Sequence, residues 1–404
     1  MFYPAMVYLA GMKKKVILKA KRSASVERFH PWVFSGAIKA MEGDVQDGDV
    51  VEVYKADGSY LATGHYQDGS ITVRLFSFQQ AEPGQDFWNA KIGNALEYRR
   101  RLGLAGNPQT NCYRLAHAEG DGLPGLIIDI YNKTAVVQCH SIGMHREMDK
   151  IVQALRHNYG GELEAIYDKS AESLPNQYAM GAENGYVFGE SIPGPVLEYG
   201  HAFQVDWEEG QKTGFFIDQR ENRRLAGEYA RDEKVLNAFC YSGGFSVYAL
   251  RAGARFVDSV DVSKKAIELT GANVALNGLP AERHRAHALD VMDFLRSTDG
   301  DYGLMVVDPP AFAKSLKKRH QAVQGYKRLN ALAMTKIRPG GILFTFSCSQ
   351  VVDQALFYNT IVAAALESGR RARVMHQLTQ PPDHPVGIFH SEGGYLKGLV
   401  LYVE

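Results

Sequence analysis

The chain has little cysteine: four residues in 404, at 112, 139, 240 and 348. No two have the spacing of a metal knuckle or a redox pair, and a chain of this length has ample core without cross-links. Free thiols in a reducing cytoplasm are expected. Net charge is missing as well, since 45 Lys and Arg balance 45 Asp and Glu. That excludes strong whole-molecule attraction to a polyanion, so any nucleic-acid contact must come from local basic patches. Long apolar runs are also lacking. The start, "MFYPAMVYLAGMKKK", carries its lysines after its apolar part, the reverse of a signal peptide. It also falls well short of the roughly 20 residues of a membrane span. Residues 1–11 read as an upstream extension ahead of Met12. A cytoplasmic protein away from membranes is expected, of two or three domains, with ordinary hydrophobic (45%) and charged (22%) content.

Residues 12–78 read as a small β-rich domain, with β-branched and aromatic runs broken by the turn signals "ADGS" and "QDGS". Between Met12 and Lys39 there are eight Lys or Arg and one acid, Glu27. This is either a solvated basic end or a phosphate-contacting surface, and the interleaved Phe29, Trp32 and Phe34 favour the surface unless they are core. A linker at 80–86 leads to a helix over 87–102. An α+β stretch follows to about residue 200, with strands in "GLIIDIY" and "AVVQCH" and a helix over 145–158. The acidic, glycine-rich "AHAEGDGLPGL" at 116–126 offers a metal loop or a structured turn, and its poor ligand spacing favours the turn.

From residue 201 strands and helices alternate, the pattern of a parallel doubly wound sheet. "KVLNAF", "FVDSVDVS", "HRAHAL", "YGLMVVDPP" and "GGILFTFSCS" are strands one to five, and two more lie near the end. Ser263 is placed to cap a helix that runs through Asn277 and stops at Gly278. The first strand runs into "CYSGG", a glycine turn that lets backbone approach a ligand at Gly243 and Gly244. Asp261 ends strand two and can accept both ribose hydroxyls; Asp290, after strand three, can accept the adenine amino group. The third glycine of a dinucleotide fingerprint is replaced by bulkier residues. That suits S-adenosylmethionine, which has no pyrophosphate to seat on a helix N-terminus. The ordered set Gly243, Asp261, Asp290 and Asp308 lies at successive strand ends, where ligands bind in such sheets.

In "VVDPPAF", Pro309 and Pro310 stiffen the chain and aim Asp308 at the edge of a planar base, with Phe312 placed to stack on it. One strand over, "FTFSCSQ" ends in Cys348. A buried cysteine is commonly filler. At this strand end, beside Asp308, it is a candidate nucleophile. Amines need no covalent help in methylation, whereas carbon 5 of a pyrimidine does, and a thiolate adding to carbon 6 supplies it. The base must leave its stack to be reached from both faces. Ser347 and Ser349 can orient the sulfur, and Cys240 is the weaker rival. In "GQKTGFFIDQRENRR", Phe216, Asp218, Gln219 and Arg220 can close over the methionine end of the cofactor, with Arg220 pairing its carboxylate. "KSLKKRH" at 314–320 is an RNA-phosphate contact or a solvated loop. His384 is a further candidate for the site.

"HPWVFSGAI", "EGDGLPGLIID", "KTGFFIDQR", "NAFCYSGGFSVYAL", "VVDPPAF", "TFSCS" and "DHPV" together resemble the large-subunit ribosomal RNA cytosine-C5 methyltransferase I family over nearly the whole chain. The resemblance implies an α/β protein of three parts: a PUA RNA-binding domain (12–78), a middle α+β domain (83–200) and a Rossmann-like class I methyltransferase (201–404). It implies Cys348 as nucleophile, Asp308 on the base edge with Pro309, Pro310 and Phe312 around it, and no metal. S-adenosylmethionine is expected on Phe216, Asp218, Gln219, Arg220, Asn237, Tyr241, Gly243, Asp261 and Asp290. It further implies 23S rRNA or its large-subunit precursor as substrate and a possible homodimer. Where the family commonly carries a basic residue, this chain has Ala311, so a substrate contact is lost or moved. The competing expectations are a guanine N2 or N7 methyltransferase, which would not need Cys348, and a non-catalytic RNA-binding assembly factor. A dinucleotide oxidoreductase lacks an acid–base pair and the full glycine fingerprint.

Overall fold

The computed structural model describes residues 14–192, 194–313 and 315–404; the extension at 1–11 lies outside them. The chain forms two compact units, each assembled from separate segments. The first contains the described residues up to Leu102, Arg114–Ile192 and Pro385–Gly393. The second contains Gly103–Tyr113, the described residues from 194 to His384, and Gly394–Glu404.

In the first unit, the N-terminal part is a six-stranded sheet around Val16, Leu18, Val33, Val51, Val53, Val73 and Leu75. The β-branched runs thus form the expected β-rich domain. Phe29 and Phe34 are half exposed, which places two of the three candidate aromatics on the surface. Glu27 and Asp49 meet Lys55 and Lys14 in ion pairs. The middle part is a five-stranded sheet with helices Gln85–Arg101 and Met148–Tyr159. The helix expected over 145–158 is in fact two, Ile142–Arg146 and Met148–Tyr159, with Ser141 capping the first. The two parts share one interior: His65 packs against Phe76 and Trp88, and a Cβ at Gly143 would strike the His65 ring. The acidic loop at 116–126 is a turn. Asp121 accepts from Arg99 Nη2 (2.8 Å) and from the His117 amide, and Gly122 closes it at φ +65°.

The second unit is built on a seven-stranded sheet. Its strands are β1 (Lys234–Ala238), β2 (Phe256–Asp261), β3 (His284–Ala288), β4 (Tyr302–Val307), β5 (Ile337–Ser347), β6 (Ala372–Leu378) and β7 (Lys397–Val403). The spatial order is β3-β2-β1-β4-β5-β7-β6. β1 to β5 run parallel, and β7 lies antiparallel between β5 and β6. The strand order reverses at β1, whose neighbours are β2 and β4, and such a switch point opens a crevice at the carboxyl ends. Every residue of β4 is buried, as expected of a strand covered on both faces. Helices α1 (Arg220–Glu228), α2 (Gly244–Arg251) and α3 (Lys264–Leu276) precede or follow the first two strands; α4 (Val291–Ser297), α5 (Arg319–Lys336) and α6 (Gln354–Ser368) follow β3, β4 and β5. Ser263 caps α3 by accepting from the Ala266 amide, and Gly278 ends the turn at φ +59°. The hairpin Val196–Glu198 and His201–Phe203 belongs to this unit, ahead of the boundary expected at 200. Among the described residues no helix is long and apolar enough to cross a membrane.

Candidate active site

The chain leaves β1 through a strained turn. Phe239 (φ +61°) and Tyr241 (φ +46°) are non-glycine residues in the left-handed region, and such strain collects at ligand-binding loops. Gly243 follows at φ +74°; a Cβ there would lie 2.6 Å from Thr270 Cγ2, so only glycine fits. Thr270 donates to the Tyr241 carbonyl at 2.9 Å and holds the turn against α3. At the end of β2, Asp261 accepts from the amides of Tyr241 (3.1 Å) and Ser263 (2.9 Å). Each oxygen accepts one of these bonds and keeps capacity for a hydroxyl. Asp290 caps α4 through Oδ1, which accepts from the amides of Met292 and Asp293. Val262 (74% exposed) and Leu289 (48% exposed) stand beside these two acids. Exposed apolar side chains next to two fixed carboxylates are the chemistry that an adenine ring and its ribose would need. Phe216 packs edge-on against Tyr241, whose hydroxyl donates to the Gly214 carbonyl.

Asp308 leaves β4 and Cys348 leaves β5, strands in parallel register at Val307 and Thr345. Cys112, Cys139 and Cys240 are buried, whereas Cys348 keeps part of its surface open. Burial raises its thiol above the ordinary value, and the charges of Asp308 and Asp218 add to that. Lys212 pulls it back down. Asp308 is pushed up to about 7, first by burial and then by the charge of Asp218. Gln219 Nε2 donates to Asp308 Oδ2 at 2.9 Å and partly offsets the rise. Tyr395 in turn donates to Asp218 Oδ2 at 2.7 Å. The charge of Asp308 therefore acts on the ionisation of the nucleophile candidate, and the Lys212 charge lowers both groups.

Ser349 Oγ donates to the Ala313 carbonyl at 2.7 Å, so it ties the cysteine loop to the "DPPAFA" loop. Its own carbonyl accepts from Lys397. Pro309 is buried and Pro310 exposed. Phe312 lies against Tyr326 with ring centroids 4.6 Å apart, so a face expected to meet the base already has a protein partner. The basic loop is exposed over 315–320. Cys240 sits 3.5 Å from Thr270 Oγ1 in the interior, and burial pushes its thiol up to about 12, which fits filler.

Four expected contacts have other partners. Arg220 is fully buried, and its Nη2 lies 2.6 Å from Asp383 Oδ1, so the charge assigned to a cofactor carboxylate is met by the protein. His384 is buried beside the same aspartate, at 3.2 Å. Asn237 donates to Ser246 Oγ at 2.8 Å in the interior between β1 and α2. Gln219, expected on the cofactor, is the hydrogen-bond donor to Asp308. Sequence reasoning singled out neither Lys212 nor Tyr395. Lys212 stands in "QKTG" at φ +51°, with its ammonium 5.1 Å from the Phe216 ring centroid. That backbone conformation has no sequence signal outside glycine and asparagine.

Residues 16–78 match a PUA-like domain family, and residues 170–394 match the S-adenosylmethionine-dependent methyltransferase family. The ribosomal RNA large subunit methyltransferase I of Aeromonas hydrophila is 40% identical over 402 residues, covering 96% of this chain and 99% of that protein. The protein of the same name from Pseudoalteromonas atlantica is 39% identical over 403 residues, covering 97% and 100%. Among solved structures, a proposed SAM-dependent methyltransferase from Streptococcus mutans has a TM-score of 0.82 at 22% identity, covering 96% of this chain and 99% of its own. A methyltransferase candidate solved with SAH superposes equally well, with a TM-score of 0.83 at 22% identity. Those two establish the fold. Sequence identity over nearly full length, together with the matched domains, places this chain in the S-adenosylmethionine-dependent ribosomal RNA large subunit methyltransferase I family.

Proposed function

We propose that this chain methylates carbon 5 of a cytosine in 23S rRNA, through a transient bond between Cys348 and carbon 6. The observation that carries the reading is the placement of Cys348 and Asp308 at adjacent strand ends, where the Asp308 charge acts on the Cys348 thiol. S-adenosylmethionine, when bound, supplies the electrophilic methyl that carbon 5 takes up. Thiolate addition at carbon 6 makes carbon 5 electron-rich; loss of the carbon-5 proton and expulsion of the sulfur then restore the ring.

Asp308 supports cytosine through its proton. Near pH 7 a carboxyl pushed up to about 7 is neutral in a large fraction of molecules. A neutral carboxyl offers one donor and one acceptor. That matches the N3 acceptor and N4 amino donor of cytosine. An ionised carboxylate offers acceptors only, which suits the N1–H and N2 amino group of guanine. A proton placed toward N3 also draws electrons from carbon 6, where the thiolate adds. The same proton removes the Asp308 charge that raises the Cys348 thiol, so that Lys212 is opposed only by burial and the weaker effect of Asp218. One protonation thus serves both base recognition and nucleophile activation.

The test is bisulfite mapping of 23S rRNA from cells lacking the protein, complemented with wild type or with Cys348→Ser. One 5-methylcytosine should vanish on deletion, return with wild type and stay absent with the variant. An unchanged methylcytosine map on deletion would overturn the reading, as would full restoration by Cys348→Ser.

A further inference from the structure

We propose that His30, His390 and Glu392 form a binding site for one divalent transition-metal ion, Zn²⁺ by ligand chemistry, within the first compact unit. His30 meets His390 and Glu392 from a distant part of the sequence, and one potential ligand atom from each lies within 4.8 Å of the other two. His30 Nε2 is 3.4 Å from Glu392 Oε1, and His390 Nε2 is 3.8 Å from Glu392 Oε2. A tetrahedral site with bonds of ~2.0–2.1 Å holds its ligand atoms roughly 3.4 Å apart. The two histidine–carboxylate spacings, one to each Glu392 oxygen, are near that value, and the remaining ligand-atom separations lie within 4.8 Å and close on binding. Two imidazoles and one carboxylate are a recurrent zinc donor set, with a fourth position left to water.

His390 supplies the second, independent observation. It is 4% exposed, yet neither Nδ1 nor Nε2 makes a hydrogen bond. A buried imidazole with both nitrogens unsatisfied pays for desolvation without return. Its ring lies 4.4 Å from the Trp32 ring, so packing holds it, but packing satisfies neither nitrogen. A metal at Nε2 supplies a partner for one of the two nitrogens.

The surroundings fit ligation as well. His30 Nδ1 accepts from the Trp32 amide at 3.2 Å and lies 3.4 Å from the Trp32 carbonyl; a metal at Nε2 requires the tautomer in which Nδ1 gives up the amide and donates to that carbonyl. A backbone carbonyl on the far nitrogen is the usual partner of a metal-bound histidine. Trp32 belongs to the strand Trp32–Phe34, paired with Ile71–Ser77, which gives that histidine a rigid base. Trp32 Nε1 donates to Glu119 Oε1 at 2.8 Å, placing a further carboxylate on the indole beside the cluster. Glu392 lies in a short 3₁₀ turn, Ser391–Gly393, two residues after His390. Bound metal would therefore clip segment 385–393 to the N-terminal sheet.

The full-length protein, stripped with chelator and dialysed against Zn²⁺, should retain one equivalent by elemental analysis. Titration with Co²⁺ should give visible absorption bands without the intense thiolate-to-metal band in the ultraviolet, since no cysteine takes part. His390→Ala and the milder Glu392→Gln should lower affinity by more than the roughly 10–100-fold that loss of an outer partner costs. Cys348→Ser should bind Co²⁺ as wild type does. Glu392→Gln keeps the site's size and checks that a loss does not reflect misfolding. No bound equivalent, a thiolate band, or unchanged affinity in Glu392→Gln would each overturn the proposal.

Discussion

Asp308→Asn tests the electrostatics of the site without any substrate. The wild-type carboxyl is pushed from an ordinary 3.8 to about 7, chiefly because burial penalises its charge. In the native state it therefore binds more protons than in the unfolded chain between those two values. By linkage, stability falls as pH rises through that window, and the loss is complete above pH 7. A difference of about three pK units corresponds to about 4 kcal/mol at 1.36 kcal/mol per unit. Asparagine has no charge to desolvate, keeps an acceptor for Gln219 Nε2 and occupies nearly the same volume. At pH 8 the variant should be more stable than wild type, by up to that figure. At roughly 2–4 °C per kcal/mol for a unit of this size, its thermal transition should lie several degrees higher. As pH falls to 5, well under half of the gap should remain, because the wild-type native carboxyl is then already neutral. Paired thermal scans at pH 5 and 8 measure this directly. Methyl transfer should be abolished in the same variant. A gap independent of pH, or a less stable variant at pH 8, would refute the claim that Asp308 is held at about 7.

Covalent chemistry predicts a trapped complex: RNA transcribed with 5-fluorocytosine should form a denaturation-resistant adduct with wild type, because fluorine cannot leave carbon 5 as the proton does. Cys348→Ser should form none, and an adduct in that variant would assign the nucleophile elsewhere. Gln219→Leu removes the hydrogen bond that lowers Asp308, so the limb of the pH–activity profile governed by Asp308 should move to higher pH; an unmoved limb would show that Gln219 does not set it. Gly243→Ala adds a methyl 2.6 Å from Thr270 at φ +74° and should weaken S-adenosylmethionine binding in calorimetry while costing about 1–3 kcal/mol of stability. Asp383→Asn removes the nearest counter-charge of the buried Arg220 cation and leaves Glu221 at 3.5 Å, for an expected cost of up to about 3–5 kcal/mol in denaturant unfolding; a near-neutral result would mean that water or Glu221 compensates the charge.

What the sequence made legible was whatever a strand end fixes locally. β4 and β5 read as apolar runs, and in a parallel sheet their carboxyl ends must emerge on the same edge. Asp308 and Cys348, each just beyond such a run, could be brought together without knowledge of a single contact. Ser263, Gly243 and Gly278 were readable for the same reason, since caps and left-handed turns are set within three or four residues. The partners of charged groups were not readable. "DQR" shows that Arg220 carries a charge, but its counter-charge, Asp383, lies near the other end of the chain. An expectation built from nearby residues therefore assigned it to the cofactor. The same blindness hid Lys212, whose role depends on a positive φ, and the meeting of His30 with Glu392, 362 positions later.

These misassignments follow from how burial treats charge. A buried ion has to be compensated wherever the fold can supply the opposite sign, and sequence proximity has no part in that choice. Arg220 had such compensation within the protein, so its charge is consumed in holding Asp383. Asp308 is compensated only in part: Gln219 gives it one neutral donor, Arg223 and Lys212 act more weakly, and burial and Asp218 outweigh them. The group left under-compensated keeps an adjustable proton, and an adjustable proton is what base chemistry requires. In this sheet the residue that stabilises and the residue that reacts are thus distinguished by their counter-charges, which explains why Arg220 and Asp308 exchanged the degree of engagement that their motifs alone suggested.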